Sequence, residues 1–85
     1  MIAACRMARG DISSARRILA RNVRRLRQAR ELSQEALADA AALRQAQISE
    51  VESGKSNITL DKLQRLASAL GVRVADLFEE AKRGN

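Results

Sequence analysis

Four polar signals cut this chain into helices too short to be stable alone. Ser33, Ser53-Gly54, Thr59 and Gly71 are residue types that begin or end helices, and they fall six to twenty residues apart. Between them the chain is built from Ala, Leu, Arg, Gln and Glu with no proline, and all of these are good helix formers. Apolar residues recur at steps of three and four. Leu19, Val23 and Leu26 do so on a first helix that starts near Ser14, with Asp11, Ser13 and Ser14 as its possible N-caps. Leu37, Ala38 and Ala41 follow on a two-turn helix capped by Ser33. A third helix runs from about Gln45 to Glu52. Leu60, Leu63, Leu66, Ala67 and Leu70 line one side of a fourth, capped by Thr59 and ended by Gly71. Val74, Leu77 and Phe78 mark a fifth. The reading is all-α: five short helices in one domain over residues 14–80, with tails at 1–13 and 81–85.

The length of 85 residues sets the depth of the core. Sixteen apolar residues are alanine and only 22 are larger aliphatic, Met or Phe side chains, enough for a thin core between short helices but not for a deep catalytic cavity. Histidine is absent and Cys5 is the single cysteine, so neither an intrachain disulfide nor a structural zinc site of about four ligands can be built. The same lack leaves Cys5 without an imidazole to activate it. We therefore expect no enzyme activity, no metal and no cofactor. No run approaches ~18 apolar residues, and Met1–Ala8 is too short and too broken by Arg6 to be a signal-peptide core. The expectation is a cytoplasmic protein.

The net charge of +6 is unevenly placed. Residues 1–30 hold nine arginines against one aspartate, whereas residues 31–85 hold seven Lys or Arg against nine Asp or Glu. The excess sits on Arg16, Arg17, Arg21, Arg24, Arg25, Arg27 and Arg30. Such a stripe suits a polyanion, either nucleic acid or an anionic membrane surface, and also serves as a plain solvated face. An amphipathic membrane anchor needs bulky apolar residues opposite its charge. Here those residues are the ones the core requires, and the first helix carries no aromatic.

Two very short helices amid longer ones is the layout of a helix-turn-helix. Its first helix must approach the second closely, which requires a small residue at its middle, and Ala38 is there. The turn takes a left-handed residue, offered here by Ala42, with Leu43 filling the corner. Ile48 and Val51 supply the apolar side that the second helix turns inward. The runs Leu32-Ser33-Gln34-Glu35-Ala36-Leu37-Ala38, Ile48-Ser49-Glu50-Val51-Glu52-Ser53-Gly54-Lys55, Leu66-Ala67-Ser68-Ala69-Leu70-Gly71-Val72 and Asp76-Leu77-Phe78, with Leu60 and Leu63, resemble the Cro/phage-repressor-like (XRE) family over roughly residues 18–78. The resemblance implies a lambda-repressor-like domain whose helix-turn-helix is formed by helices 2 and 3. Two positions depart from the family pattern: Ala42 stands where glycine is usual, and Ile58 where proline is common.

At 100° per residue, with Ile48 and Val51 inward, the third helix presents Ala46, Ser49, Glu50 and Ser53 outward. Gln45 and Gln47 flank this arc and Arg44 sits at its start. A glutamine amide can pair bidentately with adenine, and alanine can touch a thymine methyl. Glu50 repels phosphate, so its place is beside a cytosine amine or an arginine. By resemblance, Gln34 starts the scaffold helix with its N-terminus toward the DNA backbone. Lys55, Ser56 and Asn57 correspond to the family's backbone-gripping loop, and Arg27 and Glu52 to a partly buried ion pair of structural role.

The function these features imply is a sequence-specific regulator that binds double-stranded DNA through the major groove. It would act as a homodimer on two half-sites, as a phage-type repressor or a restriction-modification controller. Val72, Val74, Leu77 and Phe78 are the expected dimer surface. No room is left for a small-molecule effector domain, and no membrane role is expected. The alternative is an antitoxin that binds its own operator and a toxin protein. Such a protein needs a toxin-binding segment outside the motif, and neither residues 1–17 nor 79–85 look like one.

Overall fold

The computed structural model describes residues 12–80, and these form four α-helices and one 3-10 turn with no strand among them. The helices are α1 (Ile12–Ala29), α2 (Gln34–Ala41), α3 (Gln45–Glu52) and α4 (Leu60–Leu70), followed by a 3-10 turn at Val74–Phe78. Helix α1 starts ahead of the expected Ser14, so Ser13 and Ser14 lie inside it and do not cap it. Asp11 lies outside the described residues. So do the proposed tails, except Ile12 and Ser13, which are helical. Ser33 and Thr59 cap as expected: the Ser33 hydroxyl accepts from the Ala36 N–H at 2.9 Å and the Thr59 hydroxyl from the Lys62 N–H at 3.2 Å.

All four α-helices end in the same way. A left-handed residue stands just past the helix, and the next N–H reaches back five residues to a carbonyl: Leu32 to Arg27, Leu43 to Ala38, Lys55 to Glu50 and Val72 to Ala67. Gly54 and Gly71 supply the left-handed residue at two of these ends, and Glu31 (φ 56°) and Ala42 (φ 57°) at the other two. Ala42 thus adopts the left-handed conformation expected of it without being glycine.

The core is one cluster. Leu37, Ile48, Leu66, Leu70, Leu77, Val23 and Val51 are fully or almost fully buried, with Leu19, Ala38, Ala41, Leu63 and Ala67 around them. Helix α2 packs on α3 and α4, and α1 packs on α3 and the 3-10 turn. Leu60 breaks the expected pattern. At 71% exposure it lies in solvent, because the first turn of α4 begins beyond the reach of the core that covers Leu63 and Leu66.

The fifth helix also differs from expectation: it is a single 3-10 turn of five residues. Asn22 gives the reason. It is buried in α1, and its Nδ2 donates to the carbonyls of both Leu77 and Glu79 at 2.8 Å. Those acceptors are therefore held by a side chain, and the backbone at Glu79 is extended (φ −73°, ψ 130°) where a helix would continue. The turn begins with the Arg73 N–H donating to Asp76 Oδ2 at 2.9 Å. The Arg73 side chain, and then its backbone N–H, hold the Asp76 carboxyl below its ordinary range.

Candidate nucleic-acid interface

Ile48 and Val51 are buried beneath α3, and that decides what its other side can do. Gln45, Ala46, Ser49, Glu50 and Ser53 are all exposed, as the arc drawn from the sequence requires. Arg44 precedes the helix with its side chain exposed. Gln47 differs. It is half-buried, and its Oε1 accepts the Arg44 N–H at 2.9 Å, so one of the two lone pairs of its acceptor serves the start of α3. The Ser53 hydroxyl donates to the Glu50 carbonyl at 2.9 Å.

A chain of hydrogen bonds fixes the first residues of α2 and α3. Arg27 meets Glu52 in a two-pronged pair, Nε to Oε2 at 2.6 Å and Nη2 to Oε1 at 3.0 Å. Its Nη1 donates to the Leu32 carbonyl at 2.8 Å. Glu52 Oε1 also accepts from Gln34 Nε2 at 3.1 Å, and Gln34 Oε1 accepts from Gln45 Nε2 at 2.7 Å. The hydrogen bonds to Glu52 hold the Arg27 guanidinium above its ordinary range, against the opposing effect of burial. The pair expected from the resemblance is therefore present, and it is tied through Gln34 to Gln45. Gln45 Oε1 and one of its N–H bonds remain free, which is the donor–acceptor set that adenine matches.

Beside α3 lies a polar cleft of about 360 Å³ lined by Gln47, Glu50, Lys55, Ser56, Asn57 and Lys62, among others. Glu50 thus shares a cleft with two lysines, with neither nitrogen within ion-pair distance. Lys55, Ser56 and Asn57 do follow α3 directly, and Lys62 joins them.

This arrangement is two short helices joined by a left-handed turn, one exposed face on the second and a polar loop behind it. A helix-turn-helix family model matches residues 23–77. The chain belongs to the XRE-type helix-turn-helix family, whose members are DNA-binding transcriptional regulators. It is 34% identical over 74 residues to control protein C.BamHI of Bacillus amyloliquefaciens, an alignment covering 86% of this chain and 91% of that protein. Over 61 residues it is 44% identical to control protein C.SmaI of Serratia marcescens, covering 72% and 73% of the two chains. Among solved structures it is similar to the restriction-modification controller protein C.AhdI from Aeromonas hydrophila, with a TM-score of 0.72 and 35% identity over 74% of this chain and 96% of that one.

Three residues of this helix-turn-helix domain escaped the sequence reading. Lys62 sits one turn into α4, where it reads as ordinary surface charge until the fold brings it beside Lys55. Arg65 donates from Nη1 to the Ala42 carbonyl at 3.1 Å, bracing the turn between α2 and α3 from α4. Its partner and that of Asn22 are backbone carbonyls, which carry no residue signature. Of the expected dimer residues, Leu77 is wholly buried in the core of a single chain and offers no surface to a second copy. Val72, Val74 and Phe78 are half-buried at the edge of the core. No helix among the described residues is long and apolar enough to cross a membrane.

Proposed function

We propose that this chain is a sequence-specific double-stranded DNA-binding regulator of the restriction-modification controller type. In this reading α3 lies in the major groove of each half-site. A homodimer spans two half-sites about one helical turn apart. The observation that carries the reading is the two-sided α3, buried at Ile48 and Val51 and exposed at Gln45, Ala46, Ser49 and Glu50, on a chain that aligns with 91% of a control protein. Gln45 enters the groove with its amide already held by Gln34, so the orientation that reads a base is set before DNA arrives. The first-turn N–H groups of α2 and the loop Lys55, Ser56 and Asn57 grip phosphates on either side. Val72, Val74 and Phe78 supply the apolar contact between the two copies.

The test is a gel-shift titration on the DNA upstream of the gene for this chain and on a scrambled duplex of equal length, at physiological salt. The reading predicts a preference of about 10³ or more for the upstream duplex. Equal, salt-sensitive binding to both duplexes contradicts it.

A further inference from the structure

The arginines of α1 lie outside the helix-turn-helix, and the function proposed above does not use them. Arg17, Arg21, Arg24 and Arg25 are exposed on one outward strip of the helix, opposite the buried Leu19 and Val23. Among the described residues only Arg27 and Arg73 reach a carboxylate within ion-pair distance. Arg21 and Arg25 make only long bonds to neutral oxygens, at 3.4 Å to the Glu79 carbonyl and 3.5 Å to Asn22 Oδ1. Four guanidinium groups with no carboxylate partner among the described residues thus stand on one side of the molecule.

The strip borders the candidate interface. Arg21, Arg24, Arg25 and Gln28 line an open groove of about 420 Å³ together with Glu52. Glu52 does not cancel their charge, because Arg27 already pairs with it. Two further hydrogen bonds, Glu52 to Gln34 and Gln34 to Gln45, lead from this groove to the residue at the start of α3. A relay of side chains thus connects the groove to the face proposed to meet DNA.

We propose that Arg17, Arg21, Arg24 and Arg25 form a second, sequence-independent grip on the sugar-phosphate backbone flanking the site that α3 reads. The inference rests on the DNA-binding function proposed above. Guanidinium groups bind phosphate through paired N–H bonds and stay charged at every physiological pH. A membrane surface fits less well: the inner side of α1 is spent on the core, which leaves no apolar face to insert. From Arg17 to Gln28 the strip rises about 16 Å, roughly the length of five nucleotides along one strand.

The test compares the wild-type chain with the quadruple variant R17Q/R21Q/R24Q/R25Q, with folding checked by circular dichroism. The probes are duplexes carrying a site selected by the wild-type chain from a randomised pool, with two or eight base pairs of flank on each side. Each phosphate contact contributes about 0.9 to the slope of log K against log salt. The wild-type chain is expected to bind the long-flank duplex at least ten-fold more tightly. The variant should bind both lengths alike, with a slope smaller by about 3.6 for each bound protomer and an unchanged order of preference among base substitutions in the site. The paired variants R17Q/R21Q and R24Q/R25Q, each expected to remove about half of the slope change, carry the test if the quadruple variant fails to fold. An unchanged slope and unchanged flank dependence, with site selection intact, overturns the inference and leaves the site-reading function standing. A wild-type chain that selects no site removes both.

Discussion

Glu31 and Ala42 both hold left-handed backbone at helix ends, where a side chain costs about 1–2 kcal/mol relative to right-handed geometry. Glycine relieves that strain and costs some entropy in the unfolded chain, so Ala42→Gly and Glu31→Gly are each expected to stabilise the domain by up to about 1 kcal/mol in urea unfolding. A loss of stability for Ala42→Gly would show that the methyl contributes packing that its exposed position does not suggest. These two ends also mark where sequence reading stops. Gly54 and Gly71 announced their turns by residue type and Ala42 only through the helix-turn-helix pattern. Glu31 carried no signal, because its left-handed backbone comes from the Leu32 N–H closing on Arg27. At Glu52 the expectation runs the other way. Its side chain is 5% exposed and holds both Arg27 and Gln34, so Glu52→Ala leaves Arg27 partly buried without its partner, at a cost of about 3 kcal/mol. The same change frees Gln34 and Gln45, so site preference should fall along with melting temperature.

In the proposed function the elements divide the labour of recognition, so substitutions on them should separate. Gln45→Ala on α3 is expected to lose about 1–3 kcal/mol of discrimination at one base position, read by competition among single-base variants of the site. Lys55→Ala, in the loop after α3, should weaken all sequences alike and lower the salt slope by about 1. Identical behaviour of the two variants would contradict the placement of α3 in the groove. The 3-10 turn is expected to respond to acid. Because Arg73 lowers the Asp76 carboxyl, the contribution of that cap is complete above the ordinary carboxylate range and is lost as pH falls through the lowered value. Amide protection factors at Leu77 and Phe78, taken relative to intrinsic exchange, should therefore fall in that acid window. Helix α4 was legible in the sequence because cap, period and stop signal agree there, whereas α2 showed a cap without a glycine stop and α3 a stop without a cap. The last element was not legible. Its apolar spacing fits a helix, and only the fold shows Asn22 taking the carbonyls that a helix would need.

At the scale of the whole molecule, charge and core sit on opposite sides of α1, and the same helix packs on the 3-10 turn, at the edge where Val72, Val74 and Phe78 lie half-buried. With Leu77 withdrawn into the core, that edge is a small apolar surface. If that edge joins two copies as proposed, Val74→Ser is expected to shift the dimer toward monomer in sedimentation while leaving its helical signal intact. The helix-turn-helix was legible from the spacing of Ala38, Ala42, Ile48 and Val51, since the packing of two short helices dictates those residue types, and the family from the resemblance of the runs around them. The tie from Arg27 to Gln45 was legible only in its first half. The resemblance implied the ion pair, whereas the two glutamine bonds depend on side-chain positions that spacing does not specify. The most direct test of the central claim is the affinity of the chain for its own upstream DNA against a scrambled duplex, titrated from low to physiological salt. The account predicts a preference of about 10³ or more that persists at physiological salt. Affinities that stay equal and vanish together as salt rises would contradict it, leaving a basic helix attracted to any polyanion.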